Sequence, residues 1–261
     1  GGTIGSYRTK NARPDGYTIM NLHDGILTAF HGGQAQYGPN AFEPIAAIGS
    51  SGTIVCVKED APWADLMALM AAAQESPGEI TFGANTGAPS DFARLQLEDA
   101  VPGSRFRFVQ AGGGAGRYAD LAGGHLDVTI FSVGEFVQFR DSGLRAVGIL
   151  SKERHPDLPD VPSSFEQGIQ VESSNTQYWW APKGTDPARI EWLGDVLEQG
   201  ASSPAVLKSL TQQSIDPMFL RGEELKEYLA RREAEISDVA IREELDAPPV
   251  GGVILVLTIA L

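Results

Sequence analysis

Cysteine and histidine are scarce in this sequence, and their scarcity excludes several kinds of site. Cys56 is the single cysteine among 261 residues, so an internal disulfide and a thiolate metal cluster are both excluded. Its place in the apolar run TIVCVK predicts a buried structural thiol and not a nucleophile. The 4 histidines show neither an HExxH motif nor paired spacing. The sequence therefore gives a metal site no support, and we expect no cofactor.

Positive charge and long apolar runs are also in short supply. Lys and Arg number 20 against 34 acidic residues, which gives a net charge of -14. Nucleic acid and anionic membranes are therefore disfavoured as partners, whereas small anions held by local donors are not. The sequence pattern predicts neither a signal peptide nor a full-length membrane span within these residues. The apolar end at 246–261 is shorter than the ~20 residues that cross a bilayer, which favours a cloning or frame artefact over the stub of a membrane anchor.

Short apolar runs alternate with helical patterns through most of the chain. Strands are predicted at 16–22, 53–58, 79–84, 105–110, 126–132, 145–151 and in the aromatic segment after 175. Helical patterns with short connections separate many of these runs, and amphipathic helices follow residue 187. This alternation predicts an α/β fold with a mostly parallel sheet covered by helices on both faces.

Small and polar residues follow several of these strands at their carboxyl ends, where open α/β sheets bind ligands. The segment ANTGAPSD at 84–91 is one example. Gly87 allows close backbone approach, and Pro89 can begin a helix without wasting an amide. Free amides at a helix start suit a carboxylate or a phosphate. Ser90 or Asp91 capping the helix from within would explain the same segment.

Three further strand ends contribute candidate residues. The Gly-rich loop near 112 lacks the dinucleotide fingerprint, and we interpret it as a flexible loop lining a cleft. Ser132 ends another strand. His23 and Asp24 are adjacent, which suggests an acid-base pair, but no GxSxG elbow supplies a nucleophile. Tyr178 is explained either by core packing or by a place in a pocket wall.

The order of these pieces resembles a known family. The motifs PDGY at 14–17, SPGEITFGANTGAPSDFA at 76–93 and LPDVP at 158–162 are similar to those of the receptor subunits of tripartite tricarboxylate transporters, the Bug-type periplasmic solute-binding proteins. The resemblance covers roughly 1–240. It implies a two-lobed, type II periplasmic binding protein-like fold, each lobe a mostly parallel sheet flanked by helices.

The resemblance also implies how the chain divides. Residues 1–78 and 179–245 would form lobe 1, and 79–178 would form lobe 2. The strand and helix that precede GGTIGS in the family are missing from this chain, so lobe 1 would lack its first elements. The apolar tail at 246–261 would belong to neither lobe.

The function implied by the resemblance is that of a monomeric, non-enzymatic receptor in the periplasm. Such a receptor binds a small carboxylate in the cleft between its lobes and delivers it to membrane permease subunits. Family members hold the carboxylate with strand-to-helix loops, and the lobe 2 loop maps onto Thr86 to Ser90. We expect the following ligand-binding residues: His23, Asp24, Asn85, Thr86, Gly87, Ala88, Ser90, Asp91, Gly112, Gly113, Ser132, Val133 and Tyr178.

Two departures from the family leave the ligand open. Asp91 stands where the family often has a histidine, and the family's YKGG is replaced by QAGG at 110–113. If Asp24 and Asp91 both face the cleft, a ligand with an amine or several hydroxyls is an alternative to a simple dicarboxylate. Two other functions stay open from sequence: an α/β enzyme that uses His23 and Asp24 as an acid-base pair, and the ligand-sensing domain of a signalling protein.

Overall fold

The computed structural model describes residues 2–246 of the chain, so the tail at 246–261 lies outside the described residues except for Asp246. The strands are β1 Met20–His23, β2 Phe42–Lys58, β3 Thr81–Ala84, β4 Arg107–Gln110, β5 Val128–Ser132, β6 Leu144–Ile149, β7 Ser174–Pro182 and β8 Asp216–Leu220. The helices are α1 Thr3–Lys10, α2 Gly25–His31, α3 Leu66–Glu75, α4 Pro89–Ala100, α5 Gly114–Ala122, α6 Val133–Phe139, α7 Pro187–Ala201, α8 Pro204–Gln212 and α9 Gly222–Asp246. This mixture confirms the α/β class.

The strand β2 belongs to two sheets. Its residues up to Gly52 pair with β7 and β8, and β1 pairs with the far side of β7. From Thr53 onward, β2 pairs instead with β5 and β6, and β3 and β4 extend that sheet beyond β5. We call these the first sheet and the second sheet. The point where β2 passes from one to the other lies at residues 52 and 53.

The prediction of mostly parallel sheets holds for the second sheet and is wrong for the first. In the second sheet β3 is parallel to both β4 and β5, and β5 and β6 are each antiparallel to β2, so those 4 strands share one direction. Every pair of the first sheet is antiparallel. The physical reason is connectivity. Helical crossovers join β3, β4, β5 and β6, which therefore run in parallel. In contrast, β2 runs out of the first sheet directly into the second, and β7 returns to the first sheet in the opposite direction.

The second sheet is buried on both faces. Successive side chains of a strand point to opposite faces, and along β2 the residues Val55 and Val57 enter one core cluster while Ile54 and Cys56 enter another. α3 and α4 contribute to the first cluster, and α5 and α6 to the second. Cys56 is fully buried, as the sequence predicts.

The first sheet has its own core, built around aromatic residues of β7. Tyr178 and Trp180 are both fully buried there, and they pack with Phe42 of β2 and with Leu225 and other residues of α9. α9 therefore packs against an early part of the chain. Within residues 2–246, no helix combines the length and the apolar character that a membrane crossing requires.

Candidate functional site

A cavity of about 430 Å³, which we call the main cavity, lies where the two sheets meet. His23 at the end of β1 and Asn175 in β7 line it from the first sheet. The second sheet contributes the residues that follow β3, β4 and β5, because parallel strands end at the same edge. Gly52 and Thr53 of β2 complete the wall at the point where β2 changes sheets.

Two helices begin at this cavity without a side-chain cap. The residues at their N-cap positions, Ala88 for α4 and Gly113 for α5, supply no capping hydrogen bond. Among the described residues, the Ser90 amide and the amides of 114–116 have no hydrogen-bond acceptor. Such groups, together with the positive end of a helix, favour a negatively charged ligand.

The backbone amides of residues 85–87, which the sequence led us to expect free, and the amide of Ser132 are in contrast bonded to the protein's own side chains. The pairs are Asn85 N with Ser90 Oγ at 3.1 Å, Thr86 N with Gln110 Oε1 at 3.0 Å, Gly87 N with Asp91 Oδ2 at 3.1 Å and Ser132 N with Glu135 Oε2 at 3.0 Å. The expectation of unpaired amides at these positions is therefore wrong. The local reason is that short polar side chains just beyond a strand end readily accept from nearby backbone amides.

A buried cation faces the cavity. Arg117 of α5 is only 9% exposed, and it donates to the carbonyl oxygens of Ile130 and Gly112 at 3.1 and 3.2 Å. Its Nη2 lies 3.8 Å from Glu135 Oε2, beyond hydrogen-bond distance. Burial lowers the pKa of Arg117, and the Glu135 carboxylate opposes that shift. An arginine nevertheless keeps its charge in proteins, so the cavity wall carries a fixed positive group.

Glu135 is the cavity's acidic residue, and it is held by a capping box. Its Oε2 accepts from the Ser132 amide at 3.0 Å and from the Ser132 hydroxyl at 3.2 Å, while its own amide donates to Ser132 Oγ at 3.2 Å. The spacing S-x-x-E at a helix start is the signal that could have found Glu135 from sequence. Asn175 carries no comparable signal.

His23 enters the cavity as a neutral ring. The Gly25 amide donates to its Nδ1 at 2.9 Å, so the proton of the neutral ring is assigned to Nε2, which can then donate. Burial lowers the pKa of His23, and the neighbouring Asp24 carboxylate opposes that shift only in part. The ring therefore offers a donor and not a positive charge at neutral pH.

Asp24 and Tyr178 do not reach this cavity. The Asp24 carboxylate accepts from the Thr176 amide and from the Tyr178 hydroxyl, both at 2.8 Å, and lies 3.6 Å from Arg232. Both residues are buried in the core of the first sheet, so the expectation that they bind ligand is corrected. Among the described residues no hydrogen bond joins Asp24 to His23, and the geometry of an acid-base pair is missing.

Thr86, Gly87 and Asp91 line a neighbouring cavity of about 600 Å³ instead. There the Asp91 carboxylate is bonded to Arg94 at 2.9 Å. Asp24 and Asp91 therefore do not support binding of an amine in the main cavity. Each carboxylate already has a cation and hydrogen-bond donors within the protein.

Two of the remaining predicted residues do not line the main cavity. Val133 packs in the core of the second sheet, and Gly112 offers its carbonyl to Arg117 without lining the main cavity. The predicted residues that do line the main cavity are His23, Asn85, Ala88, Ser90, Gly113 and Ser132. Within residues 2–246, no group of His, Cys, Asp and Glu side chains is arranged to hold a metal ion.

Comparison with known proteins gives the family. The family model described as "Tripartite tricarboxylate transporter family receptor" matches residues 1–243. The UPF0065 protein in the TAR-I ttuE-ttuC' intergenic region of Agrobacterium vitis is 31% identical over 230 residues, which are 84% of this chain. The aligned region spans 64% of that relative's length.

Two solved structures share the fold. The periplasmic binding protein BugD is 26% identical, with a TM-score of 0.79 over 94% of this chain and 83% of BugD. MatC from Rhodopseudomonas palustris, solved with bound malate, is 21% identical, with a TM-score of 0.80 over 92% of this chain and 84% of MatC. The family is one of receptors and not of enzymes, in agreement with the expectation from sequence. The chain belongs to the tripartite tricarboxylate transporter receptor family.

Proposed function

We propose that this protein is an extracytoplasmic receptor that binds a small organic acid in the main cavity and delivers it to membrane permease subunits. The observation that carries the proposal is the cavity itself, which both sheets line and which contains Arg117 and the uncapped starts of α4 and α5. The malate held by MatC and the periplasmic description of BugD support the ligand class and the location.

The two lobes of such a receptor correspond here to the two sheets. The predicted boundaries at 78 and 178 would place α3 in lobe 1, but Leu66, Leu69 and Met70 of α3 pack in a core of the second sheet. We therefore place the boundaries near residue 52 in β2 and near 173, before β7. Lobe 1 then holds the first sheet with α9, and lobe 2 holds the second sheet.

The binding mechanism is closure of the two lobes around the ligand. A ligand that contacts His23 on one side and the α4 and α5 starts on the other makes all its contacts only when the lobes are together, so it shifts the population towards the closed state. Each charge-assisted hydrogen bond contributes about 1.5–3 kcal/mol.

Filling the cavity tests this proposal. Ala88 lines the cavity at the start of α4, so Ala88→Phe should occupy the ligand's space while every polar group stays in place. Ala188, exposed on α7 away from the cavity, gives the matched control Ala188→Phe. Titration calorimetry with malate and other small organic acids should show binding to the wild type and to Ala188→Phe, and none to Ala88→Phe.

Two results would count against the proposal. If neither the wild type nor the control binds any small organic acid, the chain is not a receptor for this class. If Ala88→Phe binds as tightly as the control, the ligand is held elsewhere. A thermal unfolding scan of both variants verifies that they are folded, and ligand at 100 times its dissociation constant should stabilise a binding-competent protein by ~2.7 kcal/mol.

A further inference from the structure

Two acceptor atoms at the main cavity have no donor. The Asn175 side-chain oxygen is buried without a hydrogen-bond partner. Glu135 uses only Oε2 for the capping box and for Arg117, and among the described residues nothing donates to its Oε1. Asn175 Oδ1 is buried, and a buried acceptor normally has a donor, so this atom requires one that the protein itself does not supply. The Glu135 side chain is 38% exposed, and its Oε1 is open to a ligand in the cavity.

The position of the Glu135 carboxylate depends on a glycine. A side chain at Gly114 would place its Cβ 2.0 Å from Glu135 Oε1 and 2.8 Å from the carboxyl carbon. Only glycine at position 114 therefore lets the carboxylate lie against the start of α5 while Oε2 stays in the capping box. Both residues line the cavity, so the unused oxygen belongs to the ligand's surroundings.

The charges of the cavity wall balance. Arg117 is its cation and Glu135 its anion, and the His23 ring is neutral. A dicarboxylate would bring two negative charges into a wall that has one compensating cation and one opposing carboxylate. A ligand with one negative and one positive group would find a partner for each, which avoids burying an unpaired charge.

We propose that the main cavity selects a zwitterion, an amino acid rather than a diacid. Glu135 Oε1 and Asn175 Oδ1 accept from the ligand's ammonium group, while Arg117 and the uncapped amides of α4 and α5 hold its carboxylate. This inference rests on the proposed receptor function and names the ligand class. Its acceptors are one carboxylate, Glu135, and one amide oxygen, on Asn175. The two carboxylates that the sequence suggested, Asp24 and Asp91, have partners elsewhere.

The test compares each diacid with its amino analogue on the same protein. Succinate with aspartate and glutarate with glutamate form two pairs, and the uncharged-side-chain amino acids extend the series. Titration calorimetry of the wild type should give the amino acid of each pair an affinity about tenfold or more above that of the diacid, the equivalent of ~1.4 kcal/mol.

Glu135→Gln supplies the decisive variant, and the chain offers a closely matched control. Glu166 stands three residues after Ser163 and accepts from the Ser163 amide at 2.7 Å, while its own amide donates to Ser163 Oγ at 3.1 Å. It does not line the main cavity. Glu135→Gln should weaken amino acid binding about tenfold or more. Diacid binding should stay the same or become tighter, because the opposing carboxylate is gone, whereas Glu166→Gln should change neither. Asn175→Ala should weaken amino acid binding in the same direction.

The outcomes separate the two proposals. If diacids bind as tightly as their amino analogues, or if Glu135→Gln behaves like Glu166→Gln, the zwitterion is refuted and the receptor function stands. If neither class binds to the wild type, the receptor function fails and the zwitterion fails with it. Thermal unfolding of each variant shows whether lost binding reflects the cavity or a lost fold.

Discussion

Replacing Asp24 by asparagine tests whether this carboxylate stabilises the fold or binds ligand. Its side chain is 1% exposed, and three donors point at it: the Thr176 amide, the Tyr178 hydroxyl and Arg232. Asparagine keeps one of the two oxygens and sets an NH₂ group against donors. Breaking a buried pair on one side costs ~3–5 kcal/mol. Arg232 keeps Glu235 at 2.6 Å, which places the expected loss near the lower bound of ~3 kcal/mol.

Urea unfolding measures this loss. With a slope of ~2–3 kcal/mol/M, the midpoint for Asp24→Asn should fall by about 1–1.5 M. The control is Asp195→Asn, which removes the exposed partner of Arg221 and should cost no more than ~1 kcal/mol. Ligand affinity of the folded variant should equal that of the wild type. A midpoint shift no larger than that of Asp195→Asn, or weakened binding with unchanged stability, would refute the structural role of Asp24.

Three further predictions concern single positions. Burial raises the pKa of the Cys56 thiol, so a thiol reagent should label Cys56 only in denaturant, and rapid labelling of the native protein would contradict its place in the core. Burial lowers the pKa of His23, so as the pH falls through ~6.5 the unfolded chain takes up the proton first and stability is lost. His23→Gln should reduce the stability difference between pH 7.5 and 5.5, and an unchanged difference would be the contrary result. A Cβ at Gly83 would lie 2.2 Å from Leu126 Cδ1, whereas one at Gly116 would meet nothing within 4 Å. Calorimetric unfolding should therefore show a loss of ~1–3 kcal/mol for Gly83→Ala and a change within ~1 kcal/mol for Gly116→Ala.

The central strands of the second sheet could be predicted well because they are continuous apolar runs. The runs at 79–84 and 126–132 contain β3 and β5, and the run at 53–58 is the second half of β2. A strand buried on both faces has this pattern. The first half of β2 was missed as a strand, since it contains Pro44 and the Gly-Ser segment near Gly49 and its pairing shifts register there.

The cavity could be predicted only in part. The predicted strand ends gave the positions of the loops. The hydrogen bonds and ion pairs of the loop side chains, however, depend on partners that are distant in sequence. Asp24 meets Arg232 across the core of the first sheet, and Gln110 closes on Thr86 from a different strand end. No local pattern records such pairings. Asn175 could not be predicted as a cavity residue for the same reason. Its position in the cavity wall depends on the strands that pair with β7 and not on the local sequence.

The continuity of β2 through residues 52 and 53 has a consequence for cutting the chain. β5 and β6 both pair with β2 in the second sheet, and neither pairs with the other. An excised segment of 79–178 would contain β5 and β6 but not β2, the strand that lies between them. The edges of β5 and β6 that pair with β2 would then be exposed and could pair with strands of other molecules. Neither half is therefore expected to survive alone, and the halves should melt in one cooperative transition despite having separate cores.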